Sequence, residues 1–259
     1  MIAKERQKRI LEMLEAQQIA TIRGLAEQFS VAVITVRRDL DVLEKAGLIR
    51  KVYGGAMLAE EKLLQPQENA QYSLRAADCL AEKRAIASAA ADLIAEGETV
   101  FLDTGTAVSE LAKLLRSRRD LTVVTNSLAV IHELLDSPVR LFCVGGWVGR
   151  EQRSFASDAS ISCLEGFCFD HCFCGAGGVS AEHGITDYRD EIIQQRRTVL
   201  KRSAASVLLT DSRKFGITAP FVVCPASAFG TLITDAGIPE AQKAALTGCG
   251  IRLIIAKPE

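Results

Sequence analysis

Short apolar segments alternate with amphipathic stretches through the last two thirds of the chain, and this alternation restricts the possible folds most strongly. The segments are "TVFLD", "LTVVTN", "VRLFCVGG", "FDHCFCGAGG", "ASVLLTD", "TLITD" and "IRLIIA". Strands that alternate with helices form mainly parallel sheets, because a parallel pair needs a long crossover and both sheet faces must be covered. The pattern predicts an α/β domain with a mainly parallel sheet over residues 79–259.

Residues 1–57 show a different pattern, with helical periodicity first and strand-like alternation at the end. The first helix has an apolar face, and Thr21 can cap a short second helix. A third helix is predicted over residues 33–46, and "LIRKVYGGA" alternates like a β-hairpin. Three short helices and a hairpin make a winged helix-turn-helix, which binds DNA. Residues 58–78 contain one proline and no clear strand, so we expect a partly helical linker there.

The charge of the chain is divided unevenly between these two parts. The sequence of 259 residues has a formal net charge of −1, but residues 1–58 carry +3 and the remainder carries −4. A basic segment on an acidic body favours a polyanionic partner for the first part only. The chain begins without the apolar segment of a signal peptide, and no apolar run reaches about 18 residues. We therefore expect a cytoplasmic protein that does not bind membranes and whose cysteines are reduced.

The third helix has the pattern of a helix that reads DNA. At about 100° per residue, four apolar side chains fall in a narrow arc and are expected to face the core: Val33, Val36, Leu40 and Leu43. Ile34 and Arg38 lie on the opposite side, with Thr35 and Arg37 on its flanks. Arginine bonds bidentately to guanine, and Ile34 or the Thr35 methyl can touch a thymine methyl. We therefore predict base contacts from Arg38 and a phosphate contact from Arg37.

An isolated arginine pair on a helix has a simpler interpretation, which is a solvated face with an Arg37–Asp41 ion pair. The surrounding helix-turn-helix pattern and the basic hairpin favour DNA binding instead. The hairpin adds three expected phosphate contacts: Arg50, Lys51 and Tyr53.

Polar and glycine residues follow several of the predicted strands, where ligands bind in parallel sheets. "FLDTGTA" ends a strand at Asp103 and starts a helix, so Gly105 and Thr106 can present backbone N–H groups and a hydroxyl to an anion. Further strand ends carry Thr125, Asn126, Gly145, Gly146, Gly175 and Lys214. Their recurrence on one sheet edge predicts a site for a phosphorylated polyol. For each single loop, the alternative is a strand-to-helix turn without a ligand.

The stretch "VAVITVRRDLDVLEKAGLIRKVYGGA", residues 31–56, resembles the N-terminal signature of the DeoR family of bacterial transcription regulators. The matching positions include Thr35, Arg37, Arg38, Asp39, Leu40, Gly47, Gly54, Gly55 and Ala56. Ala32 replaces the serine expected to cap the helix, Lys51 replaces an arginine, and Tyr53 replaces a histidine. The resemblance implies a transcriptional regulator, specifically a repressor of carbohydrate metabolism genes, that binds double-stranded operator DNA as a homo-oligomer.

The rest of the chain resembles the C-terminal domain of the same family, in "EKRAIASAAADLI", "FLDTGT", "TVVTNS" and "TDSRKFG". That domain is similar in fold to ribose-5-phosphate isomerase, glucosamine-6-phosphate deaminase and the CoA-transferases, and it senses sugar phosphates. The resemblance implies ligand roles for Lys83, Asp103, Gly105, Thr106, Thr125, Asn126, Gly145, Gly146, Gly175, Glu191 and Lys214. "DTGTA" replaces a D-S-G-T-T loop and Gln195 replaces a lysine. Each departure removes a potential contact, so we expect a less anionic or more weakly bound ligand.

Two clusters allow other interpretations. Four residues crowd together near one predicted strand: Cys168, His171, Cys172 and Cys174. On that strand His171 points away from the cysteines and no second ligand pair follows, so we expect core residues rather than a zinc site. An isomerase or deaminase with an added DNA-binding domain is the alternative function, with three acid–base candidates: His183, Asp187 and Glu191. No nucleophile is evident, and we expect no enzyme, no metal and no cofactor.

Replacement of Arg38 tests the predicted base contact. Arg38→Ala is expected to cost about 1–3 kcal/mol of binding free energy at the operator and to flatten the base preference there, because a bidentate contact to guanine is lost. Binding of operator and random DNA at matched salt, followed by fluorescence anisotropy, measures both effects. An equal loss on the two DNAs would contradict base reading by Arg38.

Overall fold

A computed structural model of the chain describes residues 3–17, 19–45, 48–52, 55–58, 72–150 and 152–257. The chain divides into two compact units, Met1–Asn69 and Ala70–Glu259. The division falls inside the stretch 58–78, where the sequence predicted a linker, and residues 72–77 already form a helix of the second unit. Within the described ranges, no helix is long and apolar enough to cross a membrane.

The first unit is built of three helices and a small sheet, in agreement with the predicted winged helix-turn-helix. Its elements are α1 (Ala3–Gln17), β1 (Ile19–Thr21), α2 (Ile22–Gln28), α3 (Val33–Lys45), β2 (Ile49–Val52) and β3 (Gly55–Leu58). The strands pair antiparallel in the order β1-β3-β2, and β2 with β3 is the predicted hairpin. Thr21 caps α2, because its hydroxyl oxygen accepts a hydrogen bond from the Gly24 backbone N–H at 3.1 Å.

The apolar faces of the helices form the core of this unit. The buried side chains include Ile10, Leu14, Leu25, Val36, Leu40 and Leu43. The expectation that Val33 also faces the core is wrong, since its side chain is 39% exposed. Val33 is the first residue of α3, so no preceding turn extends the packed face to its position.

A buried ion pair joins α3 to α1. The Nε of Arg6 lies 2.6 Å from one carboxylate oxygen of Asp39, and the Gln7 side-chain amide donates to the other oxygen at 3.0 Å. Arg6 and Asp39 are both buried. A buried charge is tolerated only when it is paired and hydrogen-bonded. Asp39 therefore fixes the rotation of α3, which keeps the adjacent Arg37 and Arg38 on its outer face.

The second unit is an α/β domain. Its helices are α4 (Tyr72–Ala77), α5 (Leu80–Ala91), α6 (Thr106–Leu114), α7 (Leu128–Leu134), α8 (Asp158–Glu165), α9 (Ile193–Arg202) and α10 (Glu240–Gly248). Its strands are β4 (Thr99–Leu102), β5 (Thr122–Thr125), β6 (Arg140–Cys143), β7 (Trp147–Gly149), β8 (Ser154–Ala156), β9 (Phe169–Cys174), β10 (Gly178–Ser180), β11 (Gly184–Asp187), β12 (Ser203–Leu209), β13 (Phe221–Cys224), β14 (Thr231–Asp235) and β15 (Arg252–Ala256).

Seven of these strands form one parallel sheet in the order β15-β14-β12-β9-β4-β5-β6, which confirms the predicted fold class. From β4 the chain first adds β5 and β6 on one side, and then adds β9 and the later strands on the other side. The strand order therefore reverses between β4 and β9. At such a point the loops after the two strands diverge and leave a crevice for a ligand. Two small antiparallel sheets, β7-β8 and β10-β11-β13, lie outside the sequence prediction.

Both faces of the parallel sheet are buried at its central strands. In β4, Val100 and Leu102 pack into one apolar cluster, and Phe101 packs into a second cluster. Successive strand residues point to opposite faces, so each face has its own core. This double burial explains why the strands are continuous apolar runs in the sequence.

The cysteines of β9 are core residues in part only. Cys172 and Cys174 are buried in the second cluster, as the sequence predicted. Cys168 precedes the strand and is exposed, so its prediction as a core residue is wrong. His171 Nδ1 lies 2.8 Å from a carboxylate oxygen of Glu98, which supports it on the side away from the thiols.

The ion pair between α1 and α3 allows a test of the first unit. Asp39→Ala leaves the Arg6 guanidinium buried without its carboxylate, and we expect a loss of about 3–5 kcal/mol in the stability of this unit. Hydrogen exchange of the α1 and α3 amides in the full chain measures the loss. The exposed carboxylate variant Glu27→Gln on α2 is the control, and equal exchange in the two variants would contradict a structural role for Asp39.

Candidate functional site

The outer face of α3 carries the residues predicted to contact DNA. Ile34 is 56% exposed, Arg37 and Arg38 are exposed, and Thr35 is half-buried. Neither arginine forms an ion pair with a described residue, and the alternative pair between Arg37 and Asp41 is not formed. The face therefore presents one apolar side chain and two guanidinium groups together in the first half of the helix.

The acidic residues of α3 are paired with cations from other elements. Asp39 is bound by Arg6 of α1. Lys51 of β2 places its Nζ 2.5 Å from an oxygen of Asp41 and 3.0 Å from an oxygen of Glu44. The hydrogen bonds that Lys51 donates lower the pKa of the Glu44 carboxyl, and acceptance of these bonds by Asp41 and Glu44 raises the pKa of the Lys51 amine. The three carboxylates of α3, which would repel DNA, are thus paired with cations within the unit.

This arrangement gives Lys51 a role that the sequence did not predict. Its amine pins the hairpin to α3 and neutralises two carboxylates, whereas the sequence predicted a phosphate contact. Of the other predicted hairpin contacts, Tyr53 lies outside the described residues. Arg50 is in β2, where its backbone pairs with Met57.

In the second unit, the loops after β4 and β9 meet at the reversal of strand order. Gly105 precedes α6 with φ of +151°, a conformation that side-chain-bearing residues rarely adopt. A Cβ on Gly105 would lie 3.7 Å from the Gly175 Cα, so the two loops run close together. Thr106 is the first residue of α6, whose terminal N–H groups attract an anion. The structure therefore brings Gly105 and Gly175 together, with Thr106 next along the chain, and their ligand roles stay predictions.

Behind this loop lies a buried charge cluster centred on Arg196. The Arg196 guanidinium donates to a carboxylate oxygen of Asp103 at the end of β4 and to one of Asp187 at the end of β11. All three side chains are buried. Burial alone would lower the pKa of Arg196, but the two carboxylates raise it above that of a free arginine. The three groups thus hold the strand ends as a fixed ionic unit.

A chain of side-chain amides continues from Asp103. The Asn126 Nδ2 donates to Asp103 at 3.1 Å and to Gln195 Oε1 at 2.9 Å, and the Gln195 amide donates to Ser160 Oγ. Ser160 belongs to the capping box that starts α8. Asn126 is fully buried, and its Oδ1 has no hydrogen-bond partner in the described structure. A buried acceptor without a donor is costly, so this oxygen marks a position for a donor from a ligand or from water.

Thr125 and Lys83, for which the family resemblance implies ligand roles, donate hydrogen bonds to backbone carbonyls of the second unit. The Thr125 hydroxyl donates to the Leu102 carbonyl at 2.6 Å and is fully buried. The Lys83 amine donates to the backbone carbonyls of Arg75 and Asp78 at the end of α4, the second at 2.6 Å. Burial lowers the pKa of this amine. These bonds explain why both residues are polar without a ligand, and their ligand roles stay predictions.

The loops after β4 and β9, with the buried residues at the ends of these strands, form what we call the strand-end site. A groove of about 590 Å³ adjoins this site, and its lining includes Trp147, Arg150, Asp158, Arg189 and Glu191. Trp147 is 85% exposed and follows the exposed Gly145 and Gly146. The groove meets the loop after β4 at Gln152, whose carbonyl oxygen accepts a hydrogen bond from Thr104 at 2.8 Å. Glu191 thus faces this groove. Lys214 lies outside its lining, in the turn Ser212–Lys214 after β12.

The sequence analysis missed Arg196, the centre of the buried cluster. Arg196 lies three residues after Ile193 and three before Val199, both buried, so it occupies the apolar face of α9. A charged residue at a buried helical position was the available signal. Asp187, an acid–base candidate of the enzymatic alternative, is held by Arg196, while His183 and Glu191 are exposed.

Comparison with known proteins covers both units. A family model described as the DeoR-like helix-turn-helix domain matches residues 6–62, and one described as the DeoR C terminal sensor domain matches residues 78–236. The HTH-type transcriptional regulator YgbI of Escherichia coli K12 is 33% identical over 260 residues, covering 100% of both chains. The glycerol-3-phosphate regulon repressor of the same organism is 28% identical over 250 residues, covering 96% of this chain and 97% of the repressor.

Among solved structures, ribose 5-phosphate isomerase A from Methanocaldococcus jannaschii aligns with a TM-score of 0.39 and 17% identity. The alignment covers 51% of this chain and 53% of that chain. A similarity this weak supports no argument about the chemistry of the second unit.

The two roles considered for Lys51 predict different results in charge variants. Lys51→Ala uncovers Asp41 and Glu44, so we expect weaker binding to all DNA, with the control Lys243→Ala unchanged. Adding Asp41→Asn and Glu44→Gln to Lys51→Ala is expected to restore the affinity if Lys51 acts by neutralising these acids. Anisotropy over a salt series provides the measurement. A salt slope that stays lower by about one in the triple variant would instead indicate a direct phosphate contact.

Proposed function

This chain belongs to the DeoR family of transcriptional regulators, and from that premise we propose that it is a repressor of carbohydrate metabolism genes whose effector is a phosphorylated sugar. The relatives with regulator names span nearly the whole chain, so the two units act together in one regulator. We propose no catalytic activity, because Asp187 is committed to Arg196 and a regulator does not need turnover.

The DNA-binding part of the proposal is supported by the outer face of α3. Arg38 and Ile34 are exposed in the first half of the helix, which is the part that enters the major groove in helix-turn-helix proteins. Arg38 reads guanine, Ile34 or Thr35 contacts thymine, and Arg37 binds phosphate. Because the acids of α3 are already neutralised, the two arginines set the charge that DNA meets.

The observation that carries the effector part is the unpaired Oδ1 of the buried Asn126. It lies beside the Asp103 carboxylate, at the ends of neighbouring strands. A sugar hydroxyl is a donor that satisfies this acceptor, whereas a phosphate oxygen is not. We therefore assign the polyol end of the effector to Asn126 and Asp103.

The phosphate end is assigned to the loop after β4. Gly105 and Thr106 open α6, where backbone N–H groups and the helix dipole favour an anion. The buried Arg196 is not available for this phosphate, because two carboxylates already bind it. Gln195 also carries no charge at the position of the family's lysine. The anion is therefore held mainly by backbone groups, in line with a weakly bound effector.

Control of transcription requires that the effector change how the DNA-binding units are presented. We propose a homo-oligomer that occupies two operator half-sites, because one short reading helix contacts few bases. An effector shifts such an assembly only if it binds one arrangement more tightly than the other. The name of the glycerol-3-phosphate regulon repressor supports a small phosphorylated compound as the effector class.

A direct test uses the full chain and five compounds: glycerol 3-phosphate, fructose 1-phosphate, fructose 6-phosphate, ribose 5-phosphate and glucosamine 6-phosphate. A specific effector raises the Tm by mass action and changes the affinity for an operator selected from random DNA. Absence of both responses with all five compounds, or turnover of any of them, would contradict the proposal.

Replacement of Thr106 tests the phosphate assignment without disturbing the loop. Gly105 is unsuited to this test, because its φ of +151° makes any side chain strained. Thr106→Val keeps the shape and removes the hydroxyl, and we expect a loss of about 1.5–3 kcal/mol in effector binding. Thr122→Val, at the amino end of β5, is the matched control. Calorimetry that shows equal effector affinity in both variants would move the phosphate away from α6.

A further inference from the structure

We propose that Tyr72 and Ser109 couple the loop after β4 to the segment that leads to the DNA-binding unit. This inference rests on the proposed function, since it concerns how occupancy of the strand-end site reaches the DNA. The observation behind it is a hydrogen-bond chain that runs from the Gly105 carbonyl to the first residue of α4.

Tyr72 holds a particular place in the chain. It begins α4, and only Ala70 and Gln71 separate it from the last residue of the first unit, Asn69. Its side chain is buried within the second unit. The backbone that joins the two units passes through this residue, so a change at Tyr72 acts on the segment that leads to the DNA-binding unit.

The hydrogen-bond chain has a defined direction. Ser109 Oγ donates to the Gly105 carbonyl at 3.0 Å, and Tyr72 Oη and Ser109 Oγ share a hydrogen bond of 2.5 Å. A serine hydroxyl has one proton, so Tyr72 is the donor to Ser109. The chain thus passes from Tyr72 to Ser109 and from Ser109 to the residue that immediately precedes α6. Hydrogen bonds in such a series strengthen one another, so a change at the Gly105 carbonyl changes the strength of the hydrogen bond between Tyr72 and Ser109.

A guanidinium group covers the ring of Tyr72. Arg153 lies 4.7 Å from the ring centroid, its backbone has φ of +52°, and its carbonyl accepts a hydrogen bond from the Leu128 N–H at 2.7 Å. Arg153 is exposed and forms no ion pair with a described residue. Arg153 directly follows Gln152, whose backbone carbonyl accepts a hydrogen bond from the Thr104 hydroxyl in the loop after β4.

The proposed coupling requires these contacts to differ between an empty and an occupied site. A phosphate at the start of α6 attracts the Arg153 guanidinium, which then covers Tyr72 less well. The same phosphate binds beside Gly105, whose carbonyl ends the hydrogen-bond chain. The contacts that stabilise α4 would therefore differ between the empty and the occupied site. An effector that binds one of these two arrangements more tightly shifts the balance between them. Because α4 follows the DNA-binding unit in sequence, this shift would change how that unit is held.

The test separates coupling from binding. Tyr72→Phe keeps the ring under Arg153 and removes only the hydroxyl, and Ser109→Ala removes the middle of the chain. Ser203→Ala is the matched control, because the Ser203 hydroxyl also bonds a carbonyl four residues earlier but lies at the amino end of β12. For each full-length variant, calorimetry measures binding of the five compounds named above, and anisotropy measures operator affinity with and without each compound.

We expect a compound that binds the wild-type chain to change its operator affinity by about 5- to 150-fold, the usual range for coupled sites. In Tyr72→Phe and Ser109→Ala, both binding constants measured alone should stay within about twofold of wild type, while the effector-dependent change falls below about twofold. Ser203→Ala should retain the wild-type change.

Full retention of the effector-dependent change in both Tyr72→Phe and Ser109→Ala would overturn the coupling role and leave the proposed function standing. Loss of effector binding in Tyr72→Phe, with the control unchanged, would also overturn it, since Tyr72 would then belong to the binding site. Failure of the wild-type chain to respond to all five compounds overturns the proposed function itself, and the coupling with it.

Discussion

Burial of the Arg196 guanidinium between Asp103 and Asp187 is the constraint on which the second unit depends. These residues come from the end of β4, the end of β11 and the helix α9, so the ion cluster fixes three elements around the edge of the sheet where ligands bind. A charge buried without partners would destabilise the domain, and therefore all three groups must keep their positions. Both carboxylates of the cluster bind Arg196, so its guanidinium is not available to the anion of the proposed site.

In the first unit, buried and surface ion pairs neutralise the carboxylates of α3. Asp39, Asp41 and Glu44 lie on α3, and each is bound by a cation from α1 or β2. This pairing leaves Arg37 and Arg38 as the cations on the outer face. A net charge of +3 on residues 1–58 is modest, but its distribution matters more than its size, since DNA meets the exposed charges first.

The two units are joined in sequence just before the short helix α4, which is held within the second unit by several hydrogen bonds. Tyr72 reaches α6 through Ser109, and the carbonyls of Arg75 and Asp78 receive the Lys83 amine. Lys83 therefore anchors the end of α4 while Tyr72 anchors its start. In this view a lysine that the family resemblance placed with the ligand supports the helix that leads to the DNA-binding unit.

The sequence by itself determined the parallel α/β fold, the winged helix-turn-helix and the family, because these follow from local periodicity and contiguous motifs. It also placed Gly105 and Thr106 at one strand-to-helix turn, where their ligand role stays a prediction. Only the tertiary structure decided which polar residues are partners. Arg196 meets Asp103 across 93 positions, Asn126 meets Gln195 across 69, and Tyr72 meets Ser109 across 37. A side chain's charge state, burial and free hydrogen-bonding capacity depend on such distant partners, and no local pattern records them.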